Sequence, residues 1–225
     1  MFDYHLFLSA VFGWPLAKGA LLTMVLSISV MTCSLIVATL FGSVAGSQRK
    51  ALRWSVGGYV WLFRGAPALL ILLFVWNGLP QLSPVFRQAW FTPFFAAFLA
   101  LTLIEVAYLT EILRGAFAAV GKGQREGAAA LGLHRWQIFI LITVPQALRV
   151  AVPALINEFI SLLKATSLAT VISLKELMTL TQFAIATSFR FLEWYGAALV
   201  YYMLMVSVLT VFQTRIERLL SKGHR

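Results

Sequence analysis

Acidic residues are scarce in this chain: eight Asp and Glu stand against eighteen Lys and Arg among 225 residues. Charged residues of either sign reach only 12%, while 60% of the chain is hydrophobic. A soluble domain of this length needs far more polar surface, so an integral membrane protein is expected. Cysteine occurs once, as Cys33 inside an apolar run. That excludes an internal disulfide and a thiolate metal cluster, and Cys33 reads as a small buried hydrophobe. His5, His134 and His224 are scattered over different loops or termini and make no metal pattern. No Gly-Lys-Ser or Gly-Lys-Thr follows a glycine-rich loop, and Gly121-Lys122-Gly123 only echoes one superficially. The chain is therefore expected to bind no nucleotide that way, no cofactor and no metal, and clustered catalytic residues are absent. The net charge of +10 would suit nucleic acid only on a solvated basic face. Here the basic residues sit in short breaks between apolar runs.

Several of those runs approach the ~20 residues that span a bilayer as a helix. Residues 2–16 are apolar and aromatic with a Trp14-Pro15 break, as in a short interfacial segment. They lack the basic region and cleavage site of a secretory leader, so Met1 to Leu16 is expected to stay on the chain. Gly19 to Ala45 is the clearest span. Gly42 and Gly46, four apart, suit either close helix packing or a bend at the helix end. A second span runs from about Trp54 to Leu79 with Arg64-Gly65-Ala66-Pro67 inside it, where Pro67 frees a carbonyl and Gly65 permits close approach. Pro80 to Trp90 reads as a loop, Phe91 to Leu113 as the third span and 114–135 as a polar break. The fourth span covers 146–164, a short interfacial or re-entrant helix follows near Lys175–Thr187, and Trp194 to Phe212 is the last span.

Five spans put the termini on opposite sides. With the breaks at 47–53 and 114–135 and the C-terminal tail in the cytoplasm, that side holds Arg49, Lys50, Arg53, Arg114, Lys122, Arg125, Arg135, Arg215, Arg218, Lys222 and Arg225. The outer loops keep only Lys18, Arg87, Lys175 and Arg190, as the positive-inside rule favours. The N-terminus is then outside and the C-terminus cytoplasmic.

The polar break carries the most specific pattern. A short helix over Gln124–Leu131 is expected, with Glu126 in its first turn and Gly132 as its stop. Gly127, Ala128, Ala129 and Ala130 form a small-residue surface suited to another protein's groove. Glu126, Gly132, Ile142 and Pro145 keep the spacing of Glu-Ala-Ala, three residues, Gly, nine residues, Ile, one residue, Leu-Pro, with Gly127 and Val144 as conservative departures. Around it stand Ala107-Tyr108, Glu111-Ile112, Arg114-Gly115, Pro145-Gln146-Ala147-Leu148-Arg149, Pro153, Asn157, Lys164 and Ser167-Leu168. Over nearly its whole length the chain resembles the permease subunits of bacterial ABC importers, polar amino acid branch.

The resemblance implies a single all-α membrane domain over 1–225, with about five spans and a cytoplasmic coupling loop at 121–135, in the bacterial inner membrane. It implies two ABC ATPase subunits holding ATP and Mg, a second permease copy or sister permease, an extracytoplasmic substrate-binding protein and an amino acid substrate. Gln124, Glu126, Gly127, Ala128 and Gly132 would couple to the ATPase. Asn157 and Lys164 match the resembled pattern, as does Arg64, although Ala66 replaces Thr in Arg-Gly-Thr-Pro and Ile71 stands where Gln is common.

Other candidates come from the residues themselves. Glu105 lies mid-span, where an ionisable group is costly, with Tyr108 three residues on along the same face. It reads as a carboxylate for a substrate cation or as the ion-pair partner of Arg64 or Lys164. Glu111 and Arg114 read as a structural pair. Asn157, Ser161 and Lys164 recur at i, i+4 and i+7, a polar stripe lining a partner interface or a substrate path, with Glu158 beside it as a counterion. The alternative class is a secondary transporter or channel working without an ATPase, for which paired inverted repeats would be expected and none is seen.

Overall fold

The computed structural model describes residues 2–45 and 49–221, and Gly46, Lys222, His224 and Arg225 lie outside them. Among the described residues all regular structure is helical. The N-terminal α1 (Tyr4–Phe12) is followed by the long α2 (Trp14–Ala45) and then α3 (Lys50–Gly65). Two short helices, α4 (Ala68–Leu73) and α5 (Leu79–Leu82), lead to the third long helix, α6 (Pro93–Ala118). Then come α7 (Lys122–Ala130), α8 (Arg135–Ile138) and α9 (Val144–Ala165). The chain closes with α10 (Leu177–Ser188) and α11 (Phe191–Ser221). Four stretches, Trp14–Gly42, Pro93–Ala118, Arg135–Ile172 and Phe191–Leu219, are long and apolar enough to cross a membrane. A fifth arises when α3 and α4–α5 are counted as one broken span.

The core forms where small residues let helices approach. On α2 the buried positions Leu16, Ala20, Thr23, Ser27, Val30, Ser34 and Ala38 recur at helical spacing. Of these, Val30, Ser34 and Ala38 face α6, whose Ala96, Ala97, Ala100 and Ala107 are fully buried, whereas Leu16, Ala20 and Thr23 pack toward α10 and α11. Two buried hydroxyls are satisfied on their own helix: Ser27 Oγ donates to the Thr23 carbonyl at 2.8 Å and Thr110 Oγ1 to the Val106 carbonyl at 2.6 Å. The Tyr59 hydroxyl reaches across from α3 to the Leu103 carbonyl at 2.6 Å.

Several boundaries differ from expectation. The second apolar stretch is bent by 103° at Ala66-Pro67, because proline disfavours a helical residue before it and lacks the amide to continue the ladder. A Cβ placed on Gly65 would meet nothing within 4 Å, and neither would one on Gly42, so neither glycine serves close packing within the chain. The N-terminal break falls at Gly13, and Trp14 and Pro15 already belong to α2. The 80–90 loop contains α5 and a 3-10 turn, Pro84–Arg87. The third span continues to Ala118, so Arg114 sits in the helix, where Glu111 one turn back neutralises it. π-helical turns at Phe74–Gly78 and Phe139–Thr143 immediately precede the segments holding Pro80 and Pro145. Each closes with an amide reaching five residues back, Leu79 to Phe74 and Val144 to Phe139.

Glu176, which is not among the candidates drawn from the sequence, is fully buried at the start of α10. Its carboxylate accepts from the amides of Met178 (2.9 Å) and Thr179 (2.7 Å) and from the Thr179 hydroxyl (3.0 Å). Longer contacts join it to Thr23 Oγ1 on α2 (3.4 Å) and the Tyr202 hydroxyl on α11 (3.5 Å). The legible signal is an acid directly before a helix, where it suits the positive end of the dipole. Glu176→Ala strands two amides whose desolvation costs about 1–3 kcal/mol each. A markedly lower melting temperature in detergent is expected, with Glu176→Gln milder because it keeps an acceptor oxygen. Equal melting of Glu176→Ala and wild type would exclude this role.

Candidate functional site: a polar cluster between α3, α6 and α9, and the helix α7

The break at Ala66-Pro67 leaves Arg64 at the last turn of α3, facing α6. Its guanidinium lies 5.4 Å over the Tyr108 ring, a cation–π geometry, and its Nη1 is 3.7 Å from Glu111 Oε2. Glu111 is also held by Arg114 through two contacts, Nε to Oε1 at 2.9 Å and Nη2 to Oε2 at 2.7 Å. One carboxylate thus serves two arginines, and the expected Glu111–Arg114 pair is present with Arg64 added.

Glu105 lies further along α6 and is only 4% exposed. It forms no ion pair with Arg64 or Lys164, contrary to one of its two readings, because Arg64 reaches Glu111 instead. Its Oε2 and the Thr102 hydroxyl, three residues apart on the same helix, are buried without a hydrogen-bond partner. Glu158 on α9 lies within electrostatic reach of both Glu105 and Arg64. Arg64, Glu105, Tyr108 and Glu158 are therefore brought together from three helices.

Asn157, Ser161 and Lys164 share an exposed face of α9. Ser161 Oγ donates to the Asn157 carbonyl at 3.2 Å, and Asn157 Oδ1 accepts from Gln213 Nε2 of α11 at 3.3 Å. Gln213 also donates to Glu217 Oε1 at 3.0 Å, which carries the polar face onto α11. Gln213 and Glu217 are not legible as part of the stripe, since only the α9–α11 packing puts them beside it. Glu158 and Lys164 make no ion pair among the described residues, so the expected counterion role is not realised here. A guanidinium and two carboxylates thus place ionisable groups of both signs near the amide of Asn157. Among the described residues no group of three His, Cys, Asp or Glu is placed to hold a metal.

The second constellation lies between the third and fourth long helices. The helix α7 begins at Lys122, two residues earlier than expected, which puts Glu126 beyond its first turn. Its end is closed by Gly132 at φ +81°, with the Gly132 amide donating to Ala129 (3.0 Å) and the Leu133 amide to Ala128 (3.2 Å). This is the Schellman arrangement, and it explains a glycine at that position. Gln124, Glu126 and Gly127 are exposed, whereas Ala128 is 5% exposed, on a helix that packs against α8 and the π turn. Ala128 is thus an internal contact of this chain and not part of the presented surface, a consequence of its helical phase. His134 precedes α8, where its amide donates to Gln137 Oε1 at 2.8 Å.

Five spans, one of them broken, with polar groups at their centre and a capped surface helix between the third and fourth, define a solute permease. Residues 38–222 match the family described as binding-protein-dependent transport system inner membrane component. The chain is 32% identical over 99% of its length to the probable amino-acid permease protein YxeN of Bacillus subtilis, covering 98% of that protein. It is 34% identical to the glutamine transport system permease protein GlnP of Escherichia coli K12, over 91% of this chain and 94% of that one. The crystal structure of an amino acid ABC transporter with histidines superposes with a TM-score of 0.84 at 28% identity, covering 91% and 93% of the two chains. The chain belongs to this family of inner membrane transport components.

Proposed function

We propose that the chain imports a polar or charged amino acid as the membrane subunit of an ATP-driven ABC transporter. It pairs with a second permease copy or a sister chain, receives substrate from an extracytoplasmic binding protein and is driven by two ATPases carrying ATP and Mg. Relatives named for glutamine and arginine transport support the substrate class. The observation that carries the reading is the convergence of Arg64, Glu105, Tyr108 and Glu158 beside the exposed face of Asn157, Ser161 and Lys164. Arg64 suits a substrate carboxylate and the acids suit its ammonium. Charge at membrane depth is stabilised by such partners or by a water-filled path, so the stripe faces the path at the subunit centre.

The exposed face of α7, with Gln124, Glu126 and Gly127, meets the ATPase, and Gly132 holds its shape. Closure of the ATPases then moves α7 and rocks the spans between inward-facing and outward-facing arrangements. The N-terminus then lies outside and the C-terminus in the cytoplasm, in agreement with the basic residues of the breaks.

The experiment is uptake into proteoliposomes carrying the permease and its co-purified ATPase, with binding protein supplied. Arg64→Gln and Glu158→Gln are expected to lower ATP-dependent uptake at least tenfold, the loss of about 1.4 kcal/mol of substrate interaction. ATP hydrolysis should continue in both. Uptake that needs only an ion gradient, with no ATPase retained, would replace this reading by a secondary transporter.

A further inference from the structure

By its place in the chain, Arg125 is one of the basic residues that keep the polar break on the cytoplasmic side. Its side chain does more. From the middle of α7, Nη2 donates to the Phe117 carbonyl at 2.9 Å and to the Val120 carbonyl at 3.0 Å. Both carbonyls belong to the end of α6 and the turn after it, where the last turn of a helix has no further amides to satisfy it. A guanidinium there also meets the negative end of the helix dipole. Its Nε is buried without a partner, so the group is held by these two bonds and by its packing. Nearby, the Phe117 and Phe139 rings stack at 6.0 Å and 14°, tying the end of α6 to the start of the fourth span.

We infer that Arg125 is a positioning residue that clamps α7 to the end of α6 and so carries the motion of α7 into the span holding Tyr108 and Glu105. The inference rests on the reading of α7 as the ATPase-docking helix. α6 is an uninterrupted 26-residue helix. From Phe117 to Glu105 is twelve residues, or about 18 Å at 1.5 Å per residue, so a shift at one end arrives at the polar cluster as a shift of a rod. Besides the turn 119–121 that joins it to α6, the other links between α7 and the bundle run through α8 and the π turn, toward α9. Arg125 supplies a polar link to α6.

The test uses the complete transporter in proteoliposomes and reads uptake and ATP hydrolysis together. Arg125→Gln and Arg125→Met, the latter keeping an apolar stem without donors, are expected to lower the uptake-to-hydrolysis ratio at least fivefold. Co-purification of the ATPase with the tagged chain should be undiminished, since the exposed face of α7 is unchanged. An unaltered ratio with the ATPase still bound overturns the clamp while leaving the docking reading intact. A wild-type chain that retains no ATPase overturns the docking reading and the clamp with it. Misassembly of both variants assigns Arg125 a purely structural role and likewise overturns the inference.

Discussion

Gly19→Ala is expected to destabilise the protein severely, with most of the chain lost from the monodisperse peak after solubilisation. A Cβ at position 19 would stand 2.8 Å from Leu177 Cα, 3.0 Å from Leu177 N and 3.1 Å from Leu180 Cδ1. The first two are backbone atoms and do not rotate away. Nor is α10 free to retreat, because Glu176 caps its start and holds Thr23 of α2 and Tyr202 of α11 within reach. Overpacking of a closed contact costs about 1–3 kcal/mol, and a backbone obstacle lies at the upper end of that range. Gly42→Ala is the control: its Cβ meets nothing within 4 Å, and alanine is the better helix former. The check is thermal unfolding in detergent for both variants. Equal melting of Gly19→Ala and Gly42→Ala would show that α2 and α10 do not approach as described.

Gly132→Val is expected to cut ATP-dependent uptake at least tenfold and to weaken retention of the ATPase, while the spans remain folded. Nothing lies within 4 Å of a Cβ at this position, so crowding is not the cause. The cause is φ +81°, which costs a residue with a Cβ about 1–2 kcal/mol, and a β-branched one more. Leaving that region breaks the two amide bonds back to Ala128 and Ala129. The last turn of α7 then frays next to Glu126 and Gly127. Gly132→Asn should be nearly neutral, since asparagine tolerates the left-handed region, and Gly132→Ala should fall between. Uptake and co-purification assays on the three variants give the order. Asparagine and valine behaving alike would remove the backbone explanation.

Much of this organisation is readable along the chain. Apolar length predicts the spans, because the free energy of placing a segment in lipid is a sum over its own residues. The helix ending at Gly132 is likewise local, set by helix formers and by a residue free to adopt positive φ. The polar stripe on α9 follows from helical periodicity alone. What the chain alone does not disclose is which helix each stripe meets. Composition and position offer Arg64 or Lys164 as the ion-pair partner of Glu105, whereas Arg64 lies against Tyr108 and Glu111. Spacing offers Gly42 for close packing or for a bend, and Gly19 is the glycine that packing requires. Arg125 has the pattern of a topology charge, and it holds the end of α6. Ala128 belongs by composition to a presented surface, and it is buried.

These differences share a physical origin. Hydropathy, propensity and capping are short-range and belong to one segment, so the linear chain is enough to predict the apolar spans and the capped helix between the third and fourth of them. Ion pairs, close helix crossings and buried caps depend on which helices abut, at separations such as the 153 residues between Thr23 and Glu176. The 103° bend at Ala66-Pro67 and the packing of α6 between α2 and α9 select those partners. The polar cluster at the centre, and the link from α7 to it, exist only once the helices are packed together, because each draws its groups from segments that no local rule connects.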